Sequence, residues 1–366
     1  MIKINIILIS LFTLFNQIIA QTNLSRFVVG TFTENSSAKG IYSLTLDKTN
    51  LELKSELIYE IKDPNFLCFS KDKRFLYAVS ERKEGAGVVA FRFENGKLLF
   101  INKITFGAGT EPCHLAVSEK HVAVANYGGG SVYILQRNPD GSLSPVIQKV
   151  MHTGSSIDPA RQQKPYVHQV SFTPDGKFLL ATDLGTDKVV AYHYNSANAI
   201  TPLLFSSEVK VKPGSGPRHL AMSKNNKYLY LLQELDGTLS VITRKKTELS
   251  ISGISSVKQN EMEETAAADI HISPDGQYLY ATNRGSAQNI SVFSLKNGIV
   301  PKLIEQCSVE GNWPRNFAIT NDGSFILIAN QRSNSITIFS RDKKTGKLKF
   351  TGKSVQIGSP VCILEY

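Results

Sequence analysis

From Phe27 to the C-terminus the chain alternates short apolar runs with short polar turns, and no stretch carries a convincing helical period. Runs such as Phe178-Leu179-Leu180-Ala181 are apolar at successive positions instead of alternating with polar residues. That pattern suits strands of a sheet covered on both faces by neighbouring sheets. Between the runs stand turns such as Pro174-Asp175-Gly176 and Pro274-Asp275-Gly276. Asp-Gly between two apolar runs is a hairpin signal. The pattern predicts an all-β chain.

The runs belong to a repeat. The clearest copies span 267–295, 167–194, 217–242 and 314–340, and two looser ones begin at Pro64 and Pro112. They recur roughly every 50 residues, a spacing typical of propeller blades. Each has an apolar run, a turn, a second apolar run, a polar loop and a third run rich in Val, Ile and Phe. A seventh copy is split. Phe27–Thr31 and Gly40–Leu44 read as its second and third strands, and Ser359–Leu364 as its missing first. Pairing the two ends closes a ring and removes two exposed sheet edges. The expected architecture is a seven-bladed β-propeller over residues 24–366, closed by its N- and C-terminal strands.

This topology places candidate chemistry. In an antiparallel blade the start of the inner strand and the end of the second strand lie on one face of the disc, where loops converge on the central channel. Inner-strand starts carry His114, His168, Arg218, His219, Asp269 and Arg315. Second-strand ends carry Glu81, Tyr127, Glu234, Arg284 and Gln331, beside Asn126, Asp183, Asn283 and Asn330. Aligned on their turns, His168, Arg218 and Arg315 are equivalent, and so are Glu81, Glu234, Arg284 and Gln331. Polar groups that change identity from blade to blade fit a site assembled from several blades, and also fit ordinary strand-end capping. The aspartates of the opposite turns read as turn formers. His271, inside an inner strand, reads as a packed, hydrogen-bonded histidine, and Trp313 as either a pocket wall or plain packing.

Other signals change the picture less. Gly128-Gly129-Gly130 is not followed by a helical pattern and is read as a loop, and no G-x-S-x-G or H-E-x-x-H occurs. The cysteines Cys68, Cys113, Cys307 and Cys362 are scattered with no CxxC pair, so a metal cluster is not expected, and buried apolar roles suit most of them. The formal charge is +10, but Lys and Arg are spread along the chain. That disfavours nucleic acid as a partner and fits a small anionic substrate or simple solubility. Lys3, the apolar run Ile4–Phe15 and the small residue Ala20 read as a signal peptide over residues 1–20, cleaved before Gln21. The expected location is therefore periplasmic or secreted, with no membrane span left after cleavage.

Gly216-Pro217-Arg218-His219, Gln233-Glu234-Leu235, the run Ala268–Gly276 and Pro314-Arg315 together resemble the propeller lactonase family, whose members include 6-phosphogluconolactonases and carboxymuconate-lactonizing enzymes. The resemblance implies a lactonase that needs no metal or cofactor and acts on a small anionic lactone or sugar acid. It places the family's catalytic histidine, arginines and glutamate on His168, Arg218, Glu234 and Arg284, and His219, Asp269 and Arg315 match neighbouring motif positions; with His114 and Gln331 of the same ring of strand ends these are read as substrate-binding. In this reading Glu234 or His168 deprotonates water, with Glu234 favoured and His168 as its partner, and Arg218 and Arg284 hold an anion or the oxyanion. The resemblance also admits a lactonizing cyclase, and the channel mouth suits a non-catalytic binding propeller too. The export signal departs from cytoplasmic 6-phosphogluconolactonases and puts a phosphorylated substrate in doubt.

Overall fold

The computed structural model describes residues 23–80, 85–258, 264–296 and 298–366. Residues 1–20, expected to be a signal peptide, and Glu81 lie outside them. The described residues form seven four-stranded antiparallel sheets. We number the blades from the closing one. The inner strands are Pro360–Glu365 (blade 1), Phe66–Phe69, Pro112–Val117, Val167–Phe172, Pro217–Met222, Ala267–Ile272 and Pro314–Ile319 (blade 7).

Ring closure is as expected. In blade 1 the C-terminal strand pairs antiparallel with Leu24–Thr31, with Phe27 opposite Glu365 and Val29 opposite Ile363. The repeats also hold a fourth, outer strand, such as Glu52–Glu60 or Glu248–Ser256, whose mixed exposure hides it from an apolar pattern.

The core is a cycle of clusters between neighbouring blades. Phe27, Leu44 and Ile363 of blade 1 meet Leu327 and Ile338 of blade 7. On its other face Val28 and Cys362 meet Leu76 and Phe91 of blade 2. Second strands such as Phe75–Ser80 and Phe178–Asp183 are buried throughout, which is why they read as continuous apolar runs.

The turn aspartates do what the sequence suggests, and more. Asp175 Oδ1 accepts from Thr173 Oγ1 and Lys177 N, which fixes the hairpin. Its Oδ2 takes Arg244 of the next blade at 2.9 Å, and Arg341 binds Asp275 the same way at 2.7 Å. None of the four cysteines forms a disulfide.

Candidate functional site

In five blades the inner strand is bulged at its second residue. In blade 4, Val167 pairs with Asp183 and Gln169 with Thr182, so His168 is the extra residue. Arg218 and Arg315 are the extra residues of blades 5 and 7. A bulge re-aims a side chain at a sheet edge. Its cost is an amide taken out of the ladder, and Thr182 Oγ1 meets that cost by accepting from Gln169 N at 3.0 Å while donating to Arg218 O at 2.7 Å.

At the loop-bearing mouth of the channel lies a cavity of ≈ 310 Å³. Residues just after second strands form one wall: Phe32, Tyr127, Glu234, Arg284 and Gln331. Bulge residues form another: Asn65 at the equivalent position, Cys113, His168 and Arg315. Trp313, Arg332, Glu111 and Arg161 complete the lining.

Glu234 is the electrostatic centre. Arg161 Nη2 donates to its Oε1 at 2.7 Å, while Arg218 Nε and Arg284 Nη2 reach Oε2 at 2.9 and 3.0 Å. Burial acts to raise the carboxyl's pKa, but the guanidiniums of Arg284, Arg218 and Arg161 outweigh it and hold it well below the usual carboxylate range. The expectation that Glu234 takes a proton from water does not fit these surroundings. A carboxylate held by three cations is a very weak base.

His168 is buried, and its Nδ1 has no hydrogen-bond partner among the described residues. Burial, followed by the charges of Arg218 and the neighbouring His219, Arg315 and Arg284, keeps its pKa well below the ordinary histidine value, so it is neutral at pH 7. Arg315 is half-buried, lies over the Phe32 ring at 5.1 Å and has no carboxylate in ion-pair reach among the described residues. Burial and the nearby Arg218 and Arg284 lower its pKa to about 9, and burial lowers that of Arg284 to about 10. Both remain charged at neutral pH.

Trp313 is a cavity wall, held with φ +67° just before Pro314. Its ring lies under Arg332 at 3.4 Å and Arg284 at 5.3 Å, which fans the two cations around the cavity.

Four of the expected residues stand elsewhere. Arg218 is 2% exposed and lies behind Glu234, with Nη1 donating to Ala268 O, so it supports the carboxylate and does not face the cavity. His114, His219 and Asp269 are third residues of their strands, one step further along, and lie buried in the channel, lining a separate cavity between the inner strands. There Asp269 accepts from His219 Nδ1 at 2.7 Å, His271 Nε2 at 2.9 Å and Asn316 Nδ2 at 2.5 Å. Burial would raise the Asp269 pKa, but these histidines lower it. His271 is thus hydrogen-bonded as expected. Asp183 and Asn283 turn away from the cavity to accept backbone amides of Tyr166 and Ala266. Among the described residues no group of three His, Cys, Asp or Glu is arranged to hold a metal ion.

Arg161 escaped the sequence reading. It lies on the connection between the outer strand Leu143–Met151 and the inner strand Val167–Phe172, outside any repeat unit. Asp158 Oδ1 caps the turn that carries it, accepting from Ala160 N and Arg161 N, and Gln162 Nε2 pins the loop to Leu184 O. The available signal was length, because the interval from Pro112 to Val167 is the longest between inner-strand starts. Phe32 was readable too, since it follows Thr31 as Glu234 follows Gln233.

Residues 26–365 match the family model of the seven-bladed β-propeller lactonases. The chain belongs to this lactonase family. It is 32% identical over 345 residues to a 6-phosphogluconolactonase of Bacillus subtilis (strain 168), covering 92% of this chain and 96% of the relative. It is 35% identical over 334 residues to a 6-phosphogluconolactonase of Formosa agariphila, covering 88% and 94%. Its fold superposes with a TM-score of 0.88 on a periplasmic gluconolactonase of Pseudomonas aeruginosa, at 32% identity and 93% and 99% coverage. As a lactonase the chain is a hydrolase, and its substrate is a lactone.

Proposed function

We propose that the chain hydrolyses a sugar lactone without a metal, and does so outside the cytoplasm. The observation that carries this reading is a neutral, buried imidazole, His168, which lines a cavity together with Arg161, Arg284, Arg315 and Arg332 and whose Nδ1 has no hydrogen-bond partner among the described residues. His168 is the base: it removes a proton from water as the oxygen adds to the lactone carbonyl. Arg315, with no competing carboxylate, holds the oxyanion, aided by Arg284. The intermediate then expels the ring oxygen, which takes the proton from His168, and the product is a hydroxy acid. Glu234 positions the guanidiniums and keeps them from repelling one another. The relatives' names support both phosphorylated and plain gluconolactones as substrates. The N-terminal segment and the likeness to a periplasmic gluconolactonase favour the unphosphorylated one.

The test is turnover of glucono-1,5-lactone by the purified protein, above the spontaneous rate, with and without a strong chelator. Activity that survives the chelator supports the reading. Loss restored by a divalent ion overturns the metal-free mechanism, and no turnover of any sugar lactone overturns the function. N-terminal sequencing that finds Met1 on the mature protein overturns the export.

A further inference from the structure

We infer that the substrate is longer than one sugar ring: an aldonolactone carrying a second, uncharged sugar unit. The inference rests on the lactonase reading above and names the substrate class within it.

Beside the catalytic cavity, at the seam where the ring closes, lies a second cavity of ≈ 380 Å³. The two share the walls Phe32, Gln331 and Arg332 and form one elongated cleft. Its ends differ in chemistry. The inner end is dominated by guanidiniums. The outer end presents Glu34 and Asp63 with Asn35, Asn334 and Ser359. Carboxylates and amides arranged this way accept from hydroxyl groups, as a neutral polyol requires. Among the described residues of this end two carboxylates, Glu34 and Asp63, stand against the single guanidinium of Arg332, which disfavours a second anion there.

The junction supports the same reading. Gln331 Oε1 is buried and has no hydrogen-bond partner among the described residues, although Gln331 borders both cavities. A buried acceptor without a donor is costly and awaits one. A sugar hydroxyl crossing from one cavity to the other supplies it. The outer wall is built to hold its shape. Asp63 Oδ1 accepts from Thr33 N at 2.7 Å and Glu34 N at 3.2 Å, and Asn334 Oδ1 accepts from Ser359 N at 2.8 Å. The outer cavity, at ≈ 380 Å³, is by itself of the size of a small-molecule site, so a second unit has room beyond the catalytic one.

The experiment compares glucono-1,5-lactone with the lactone of a disaccharide aldonic acid, such as maltobionolactone or cellobionolactone, in wild-type protein and in Glu34→Trp. Glu34 is exposed, so the bulky ring fills the outer cavity without disturbing the core. In wild type kcat/KM favours the disaccharide lactone by about tenfold, the equivalent of one hydrogen bond to a charged group. In Glu34→Trp the ratio of the two falls to about one. A wild-type ratio of one or less, or a ratio unmoved by Glu34→Trp, overturns the inference. Calorimetry with the two product acids separates this from failure of the catalytic reading. Tighter binding of the disaccharide acid, lost in Glu34→Trp, supports the cleft even if neither lactone is hydrolysed, whereas equal affinities overturn it.

Discussion

Arg218 Nε donates to Glu234 Oε2 at 2.9 Å from behind, so the arginine that a sequence comparison assigns to the substrate is a buried prop for the carboxylate. Arg218 spans two acceptors with one planar fork, Glu234 and the carbonyl of Ala268. A lysine keeps the charge but cannot make both contacts. Arg218→Lys should therefore lower stability by about 2–3 kcal/mol, short of the roughly 3–5 kcal/mol seen when a buried pair loses a partner entirely. The midpoint of urea unfolding reads this directly. A wild-type midpoint would show that the fork contributes nothing.

His168 and Glu234 should separate in kinetics. His168→Asn should lower kcat by about a hundredfold or more, because the base is gone. Since burial and the surrounding arginines hold the imidazole well below its usual pKa, wild-type kcat should stay level from pH 8 down to about 6. Glu234→Gln should instead raise KM and leave that pH profile unchanged in shape. A wild-type profile that falls already between pH 7.5 and 6.5 would contradict the assignment of the base.

Stability should decline on the acid side. His168 and His219 have folded pKa values below their unfolded ones. Burial and Arg218 lower His219 to about 4, although Asp269 opposes them. As pH falls below about 6.5 the unfolded chain binds protons first, so these two histidines withdraw stability. Glu234 and Asp269, depressed in the folded state, withdraw more below about pH 4.5. His271 acts in the opposite sense: burial lowers its pKa but Asp269 raises it further, so its contribution is lost only as pH rises. Thermal melts from pH 7 to 4 should show a falling Tm, with a shallower fall in a His219→Gln protein.

Removing residues 359–366 should abolish cooperative unfolding. This segment supplies the inner strand of blade 1, including Cys362 and Ile363 in the clusters on either side of it. Its loss exposes a strand edge and apolar surface on both neighbours. A truncated protein with an unchanged, sharp melt would mean that the ring does not depend on this strand.

The blades were legible from local pattern alone. Strands covered on both faces must be apolar at nearly every position, so Phe178–Asp183 and its counterparts stand out as runs, and Asp-Gly turns mark where they reverse. Repetition then fixed the count, and the split copy fixed the closure. The equivalence of His168, Arg218 and Arg315 was also legible, because a repeat preserves register. Tertiary structure alone decided which of these residues meet a substrate. A one-residue bulge has no signature in an apolar run, yet it puts His168, the bulge residue of blade 4, on the catalytic cavity, while His219, one step past the bulge of blade 5, lines the separate cavity inside the channel. Depth has none either. Arg218 and Arg315 are equivalent in sequence, but Arg218 finds Glu234 and is covered, while Arg315 finds no carboxylate and stays open to the cavity. Arg161 reaches the same carboxylate from a loop outside the repeat, where no register applies. Local pattern fixes which way a strand runs. Only the packing of neighbouring blades fixes which charges are paired, and so which one is left for the substrate.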